Sequence, residues 1–287
     1  MGKLGLFIGL VTLDLVYLTE VFPQSNQKIV ANDYAIAAGG PATNAAITFS
    51  YLGNNTQLMG VVGSQINSQV IKTDLNAHQV KLIDLEPHRQ ELPPISSILV
   101  TQSTGDRAVI SLNATKAQGN VDKIPSNPLH NVDIVLVDGH QIAVSATIAS
   151  QAQGKQIPLV MDGGSWKPGL ETILPYIDYA ICSANFFPPG CKTTEDVFAH
   201  LQAVGIDNIA ITQGEKPILY YHQGLRGAIP IPPLKAIDTL GAGDIFHGAF
   251  CHYLLQQDFV SSLIAASKIA SRSCRYFGTR RWMAQDN

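Results

Sequence analysis

Short apolar runs and longer amphipathic periods alternate along most of this chain. LGLFIGL (4–10), TQLMGVVG (56–63), VDIVLVDG (132–139), IPLVMDGG (157–164), DYAICSAN (178–185) and NIAITQG (208–214) have the length and β-branched content of buried strands. Between them, PATNAAITFSYLG (41–53) and the segments 65–78, 141–153 and 193–204 follow a helical period, with Pro41 in the first turn and Gly53 closing it. Strands alternating with helices of this length predict βαβ units, and so a mainly parallel sheet with helices on both faces. Two stretches break the rhythm. Residues 11–37 and 95–112 read as hairpins with polar tips, PQSNQ and STGD, and carry no helix. They predict a small second sheet, a lid beside the carboxyl ends of the parallel strands, where open α/β sheets bind ligands. Past 215, KPILYYHQG and LRGAIPIPP are strand-like again, and two helices close the chain. The expected organisation is one α/β domain over 1–287, its lid formed by about 11–37 and 95–112.

Composition narrows the function classes. Of 287 residues, 46% are hydrophobic and 14% charged, against about 25% charged in an average soluble protein. A net charge of −3 carries no basic footprint for nucleic acid. The cluster Arg272, Arg275, Arg280 and Arg281 reads as a solvated helix face. The amino-terminal apolar run is short, glycine-interrupted and without a small-residue cleavage pattern, and no stretch reaches the roughly 18 apolar residues of a membrane span. Neither nucleic acid nor membrane is an expected partner. Cys182, Cys191, Cys251 and Cys274 lie far apart, with no CxxC, which suits free thiols in a reducing cytoplasm.

The chemistry concentrates in AIDTLGAGDIFHGAF (236–250). After Asp244, apolar residues at 245, 246, 249, 250, 253 and 254 form a helical stripe, so GAGD lies at a helix N-terminus. Unpaired amides and the positive end of the helix dipole make that turn an anion site, and Gly241 and Gly243 let a ligand approach the backbone. A carboxylate there is either a plain helix cap or a proton acceptor for a hydroxyl attacking a phosphoryl group. The second candidate stretch is AAGGPATNAAITFSYLG (37–53), where Gly39-Gly40 turn the chain and Asn44 stands in the first helical turn, able to donate to and accept from a polyol.

Together, GGPATNAAITFSYLG and DTLGAGDIFHGAF resemble the two hallmark motifs of the PfkB carbohydrate kinases, the ribokinase-like sugar and nucleoside kinases, and the surrounding βαβ pattern extends the resemblance over nearly the whole chain. GLVTLDLVYLTEVFP is also locally similar to the start of ketohexokinase, a member of that family. The resemblance implies a ribokinase-like fold with a β-sheet lid. It implies ATP and Mg²⁺ as co-substrate and cofactor, Asp244 as catalytic base, and Gly241, Ala242 and Gly243 as the anion hole. Asp14, Gly39, Gly40, Asn44 and Asp138 fall at sugar-side positions. Thr212 and Gly214, in ITQGEKP, fall on the nucleotide side with Gly241 and Gly243. Asp238 and the backbone at Gly278 stand where some relatives bind a monovalent cation, K⁺ among them. An open lid edge implies pairing with a second lid, as in several relatives, and so a homodimer.

Two departures qualify that picture. SANFFPPG keeps Asn185, a candidate for Mg²⁺ through water, but has Pro188 where many relatives carry a glutamate, so metal handling differs. Pro217 stands where glycine is usual on the adenine side. Relatives acting on phosphorylated sugars tend to carry a lysine where this chain has Pro41. An acidic, amide-rich pocket of Asp14, Asp138 and Asn44 suits an unphosphorylated sugar or nucleoside. The expected activity is ATP-dependent phosphorylation of a primary hydroxyl. A non-catalytic sugar- or nucleotide-binding regulator on the same scaffold is the alternative, whereas a dinucleotide oxidoreductase is disfavoured because the first strand ends in GLVTLD rather than GxGxxG.

Overall fold

A computed structural model of the chain describes residues 2–111 and 117–285. In chain order, β1 (Leu4–Ile8) is followed by a hairpin, β2 (Thr12–Thr19) and β3 (Asp33–Gly39), then α1 (Pro41–Tyr51), β4 (Asn55–Gly60), α2 (Ile66–Ala77) and β5 (Val80–Asp84). A second hairpin, β6 (Ile95–Thr101) and β7 (Arg107–Ser111), precedes β8 (Ile134–Val137), α3 (Ile142–Gly154), β9 (Leu159–Gly163), β10 (Tyr179–Ser183) and α4 (Thr194–Ala203). The chain closes through β11 (Asn208–Gln213), β12 (Lys216–His222), β13 (Leu225–Ile229), α5 (Ala242–Leu254) and α6 (Phe259–Ser273). Both predicted hairpins form. Leu112, at the end of the second, lies outside the described residues.

The large sheet runs β13-β12-β11-β10-β9-β8-β1-β4-β5. It is parallel from β11 to β5, and β12 and β13 are added antiparallel. Successive side chains of a strand point to opposite faces, and the buried residues obey this. Leu6, Ile8, Val135, Val137, Leu159 and Met161 pack with α3 and α4, whereas Phe7, Ile134, Leu136 and Val160 pack with α1, α2, α5 and α6. That two-sided burial explains why these strands read as unbroken apolar runs. β5 escaped the sequence reading because VKLID is an edge strand with only Val80 fully buried. Pro217 fits inside β12 because the register slips between Ile211 and Gln213, and a bulge leaves an unpaired position for a residue without an N–H.

The small sheet is ordered β3-β2-β6-β7. Its two hairpins meet through a parallel β2–β6 pairing that sets Asp14 beside Ser96. Val16, Leu18, Ile98, Val100 and Phe277 form a core beneath it. Its outer face is apolar and open to solvent at Tyr17, Tyr34, Ile36 and Ile110.

Candidate active site

A cleft of about 740 Å³ separates the lid from the carboxyl ends of β1, β8 and β9. The lid contributes Thr12, Asp14, Ser96 and Ile98, the main body Leu10, His140, Trp166 and Lys167, and the N-termini of α1 and α5 contribute Asn44 and Asp244.

Two glycine turns aim those helices at the cleft. Gly40 precedes Pro41 with φ 103°, and a Cβ on it would collide with the Leu10 carbonyl. Gly241 caps α5 in the left-handed region, φ 69°, and a Cβ there would lie 2.7 Å from Thr279 Cγ2. Only glycine meets both demands without strain. Ala242 and Gly243 form the first turn of α5, where amides lack intrahelical acceptors; Ala242 N–H donates to the Thr239 carbonyl at 3.3 Å, and Gly243 is exposed. Asp244 follows, half-buried, its Oδ2 accepting from Asn44 Nδ2 at 2.8 Å. Burial raises its carboxyl to about 7, and the negative charge of Asp162 adds to the rise. The Asn44 bond, His247 and Arg107 pull the other way.

Asn44 is buried and doubly held. Its Oδ1 accepts from Arg280 at 3.0 Å. Arg280 also donates to the Ala38 carbonyl at 2.6 Å, to Thr279 Oγ1 at 2.9 Å and to Asp74 at 3.3 Å. The expected solvated arginine face therefore breaks at this residue. Arg280 lies beyond α6, with its side chain packed inward under α1, because the helix ends before it and the chain turns at Gly278. Arg281 pairs instead with Asp33 of the lid.

Asp14 faces the cleft from β2 and accepts from Thr12 Oγ1 at 2.7 Å. Burial raises its carboxyl, opposed by the Thr12 and Ser96 hydroxyls and by Arg280. Gly39 is required behind it, since any Cβ there would occupy the Asp14 carboxylate.

Asp138 departs from the expected sugar contact. Its side chain is fully buried and does not line the cleft. Oδ2 accepts from the Leu10 and Ala42 N–H groups at 2.9 and 3.2 Å, and Oδ1 from the His140 N–H at 2.9 Å. Burial opposes its ionisation, but His140, Lys167 and the amide bonds outweigh it and hold it at about 2. Asp138 is thus a brace tying β8 to the β1–β2 connection and to the start of α1. His140 and Lys167 occupy the cleft wall in its place, so the pocket is less acidic than the sequence implied.

Asp238 and Gly278 do come together, through the Gly278 N–H donating to Asp238 Oδ2 at 2.8 Å, while Leu240 N–H donates to Oδ1 at 2.8 Å. Burial raises the Asp238 carboxyl against those two bonds. The Gly278 bond latches the carboxyl-terminal turn to the loop before α5. Thr212 donates to the Cys182 carbonyl at 3.3 Å and Gly214 makes the β11–β12 turn with φ 66°, both outside the cleft. Asn185 is exposed after β10. Among the described residues no three His, Cys, Asp or Glu side chains form a metal nest, and no helix is long and apolar enough to cross a membrane. All four cysteines are free.

Ser96, Arg280, His140 and Lys167 were missing from the sequence reading. Ser96 is polar at a half-buried strand position, a signal that was present; the others depend on distant pairings.

A family model for the pfkB family carbohydrate kinases matches residues 4–286. The chain belongs to that family. It is 23% identical over 289 residues to a ribokinase of Bacillus subtilis (strain 168), covering 98% of this chain and 96% of that protein. Among solved structures, Arabidopsis thaliana ribokinase complexed with ribose and ATP superposes with a TM-score of 0.76 at 20% identity, covering 97% and 94% of the two chains. An E. coli protein termed Ribokinase II, in complex with ATP and Mg²⁺, gives 0.80 at 17% identity, covering 99% and 96%. The fold is ribokinase-like, a large mostly parallel sheet with a separate lid sheet, and the protein is a carbohydrate kinase.

Proposed function

We propose that this kinase transfers the γ-phosphoryl group of ATP to a primary hydroxyl of an unphosphorylated sugar or nucleoside, with Asp244 as catalytic base. One observation carries the reading: Asp244 faces the cleft from the same helix turn that presents the Gly241–Gly243 amides. A hydroxyl held at Asp244 gives up its proton as its oxygen bonds to the γ-phosphorus, and the bond to the β-bridging oxygen breaks to release ADP. The amides of Gly241, Ala242 and Gly243 stabilise charge on the transferred group. Asp14 and the Asn44–Gly40 turn hold the other hydroxyls, with Thr12 and Ser96 fixing Asp14. Thr212 and Gly214 serve the nucleotide side. The residues present would suit a hydrated Mg²⁺ rather than a protein cage, and Asn185 would hold it through water. Mg²⁺ supplies charge neutralisation there.

A neutral acceptor is favoured because Asp14 and Asp244 both line the cleft, Arg280 is already held by Asp74 and Asn44, and Lys167 turns its ammonium to the Ser165 carbonyl at 3.2 Å. A coupled ADP-release assay across neutral sugars, nucleosides and sugar phosphates tests this. Turnover of neutral acceptors is expected, and turnover of sugar phosphates alone would overturn it. Ligand binding without ADP release would favour the regulatory reading, which Pro188 supports.

The apolar outer face of the lid, with Tyr17, Tyr34, Ile36 and Ile110 exposed, supports a homodimer formed lid to lid. Four free cysteines support a reducing, cytoplasmic setting.

A further inference from the structure

Beneath Asp244 lies a second pair of titratable groups that the transfer reaction does not itself use. His247, one turn further along α5, is 4% exposed, and Asp162, in β9, is 5% exposed. Nδ1 of His247 lies 2.7 Å from the Gly243 carbonyl oxygen, and Nε2 lies 3.1 Å from the Ile181 carbonyl oxygen. A carbonyl oxygen carries no proton, so each contact is a hydrogen bond only if the ring nitrogen donates. A neutral imidazole has one N–H and would set a lone pair against one of these oxygens. Both contacts are made only by the imidazolium.

A buried cation needs a counter-charge. The α5 dipole does not supply one, since its N-terminal end is positive, and Asp244 on α5, its carboxyl raised to about 7, is only partly ionised at neutral pH. Asp162 supplies it. Its Oδ2 lies 3.5 Å from His247 Nδ1 and has no hydrogen-bond partner. Asp244 above the pair is the other carboxylate that feels His247, and Arg280, held by Asp74, acts on Asp244 from the α1 side. Cys182 of β10 and Cys251 of α5 are held as neutral thiols, raised by burial and then by the Asp162 charge. Arg107 of β7 acts on Asp244 from the lid side, where it binds Thr239.

We propose that His247 and Asp162 form a buried imidazolium–carboxylate pair that sets the ionisation of Asp244 from below, making both positioning residues for the transfer. This rests on the reading of Asp244 as the base. The two charges act on that carboxylate in opposite senses. Asp162 disfavours the anion and His247 favours it, as the balance of charges around Asp244 indicates.

The test has two parts. In the full-length wild type, ¹⁵N spectra of histidine labelled at the imidazole nitrogens, with His247 assigned through its own backbone, are expected to show both ring nitrogens protonated at neutral pH. A single protonated nitrogen overturns the proposal whether or not any variant folds. The acid limb of kcat/KM is then measured for His247→Gln and Asp162→Asn. The limb is expected to rise in the first and fall in the second, each by about half a pH unit or more. Limbs that stay put, or move in the same direction, overturn the tuning role even if the imidazolium is seen. Retained turnover in Asp244→Asn would instead remove the base assignment and leave the ring-nitrogen result standing.

Discussion

Asn44 donates from Nδ2 to Asp244 Oδ2 at 2.8 Å, joining residues 200 positions apart. The amide is not free to turn, because Arg280 donates to its Oδ1 at 3.0 Å. A bond to an ionised carboxylate contributes about 1.5–3 kcal/mol. Asn44→Ala is therefore expected to lower kcat by roughly 10²-fold. Arg280→Met should lower it too, while costing about 3 kcal/mol of stability because Asp74 loses its buried partner. Steady-state kinetics and urea unfolding on both variants check this, and an Asn44→Ala enzyme with wild-type kcat would refute it.

As the proposed base, Asp244 would work only when ionised, and its carboxyl is raised to about 7 by burial and the Asp162 charge. Activity is expected to fall as pH drops through that value, visible as an acid limb in kcat/KM. Asp244→Asn should reduce turnover by about 10²–10⁴-fold.

The same shift has a stability consequence with a definite sign. Because the folded carboxyl titrates above its ordinary value of 3.8, it favours the fold while protonated, and that contribution is lost as pH rises from 3.8 through about 7. Asp244→Asn stays neutral, so its Tm should exceed wild type by about 2 °C or more above pH 7. Calorimetry at pH 5 and pH 8 separates the two proteins, with the gap already open at pH 5 and widening until the pH passes about 7.

Asp138 shows the opposite sign. Held at about 2 by His140, Lys167 and three amides, it stabilises the fold above its ordinary value of 3.8 and loses that contribution as pH falls toward about 2. Asp138→Asn offers one acceptor oxygen where two are used, and should cost roughly 3 kcal/mol. Chemical denaturation at pH 7 measures the loss. A variant as stable as wild type but with a raised KM would return Asp138 to the sugar.

On the lid, Ile110→Lys places a charge in the apolar outer face and is expected to shift sedimentation from dimer toward monomer. A wild-type protein that stays monomeric at high concentration would remove the dimer.

The glycine turns, the parallel core and both hairpins were legible because each depends on local rules. Apolar runs mark strands buried on both faces, Pro41 and Gly241 fix helix starts, and polar tips mark hairpins. Asn44 and Asp244 stand out in the sequence because they follow glycine turns at helix starts, whereas Asp14 lies within β2. Asp138 follows β8 at the carboxyl end of the sheet, but which way its carboxylate points, toward Leu10 and Ala42, is not written in that position.

The sequence by itself determined which segments become strands, helices and anion-binding turns, since those follow from spacing, glycine and proline. The tertiary structure alone decided which side chains meet. Asp14 reaches Ser96 through a parallel pairing between two hairpins, Arg280 reaches Asn44 across 236 positions, and His247 of α5 meets Asp162 of β9. Charge–charge contact depends on three-dimensional register and burial, which no one-dimensional period encodes.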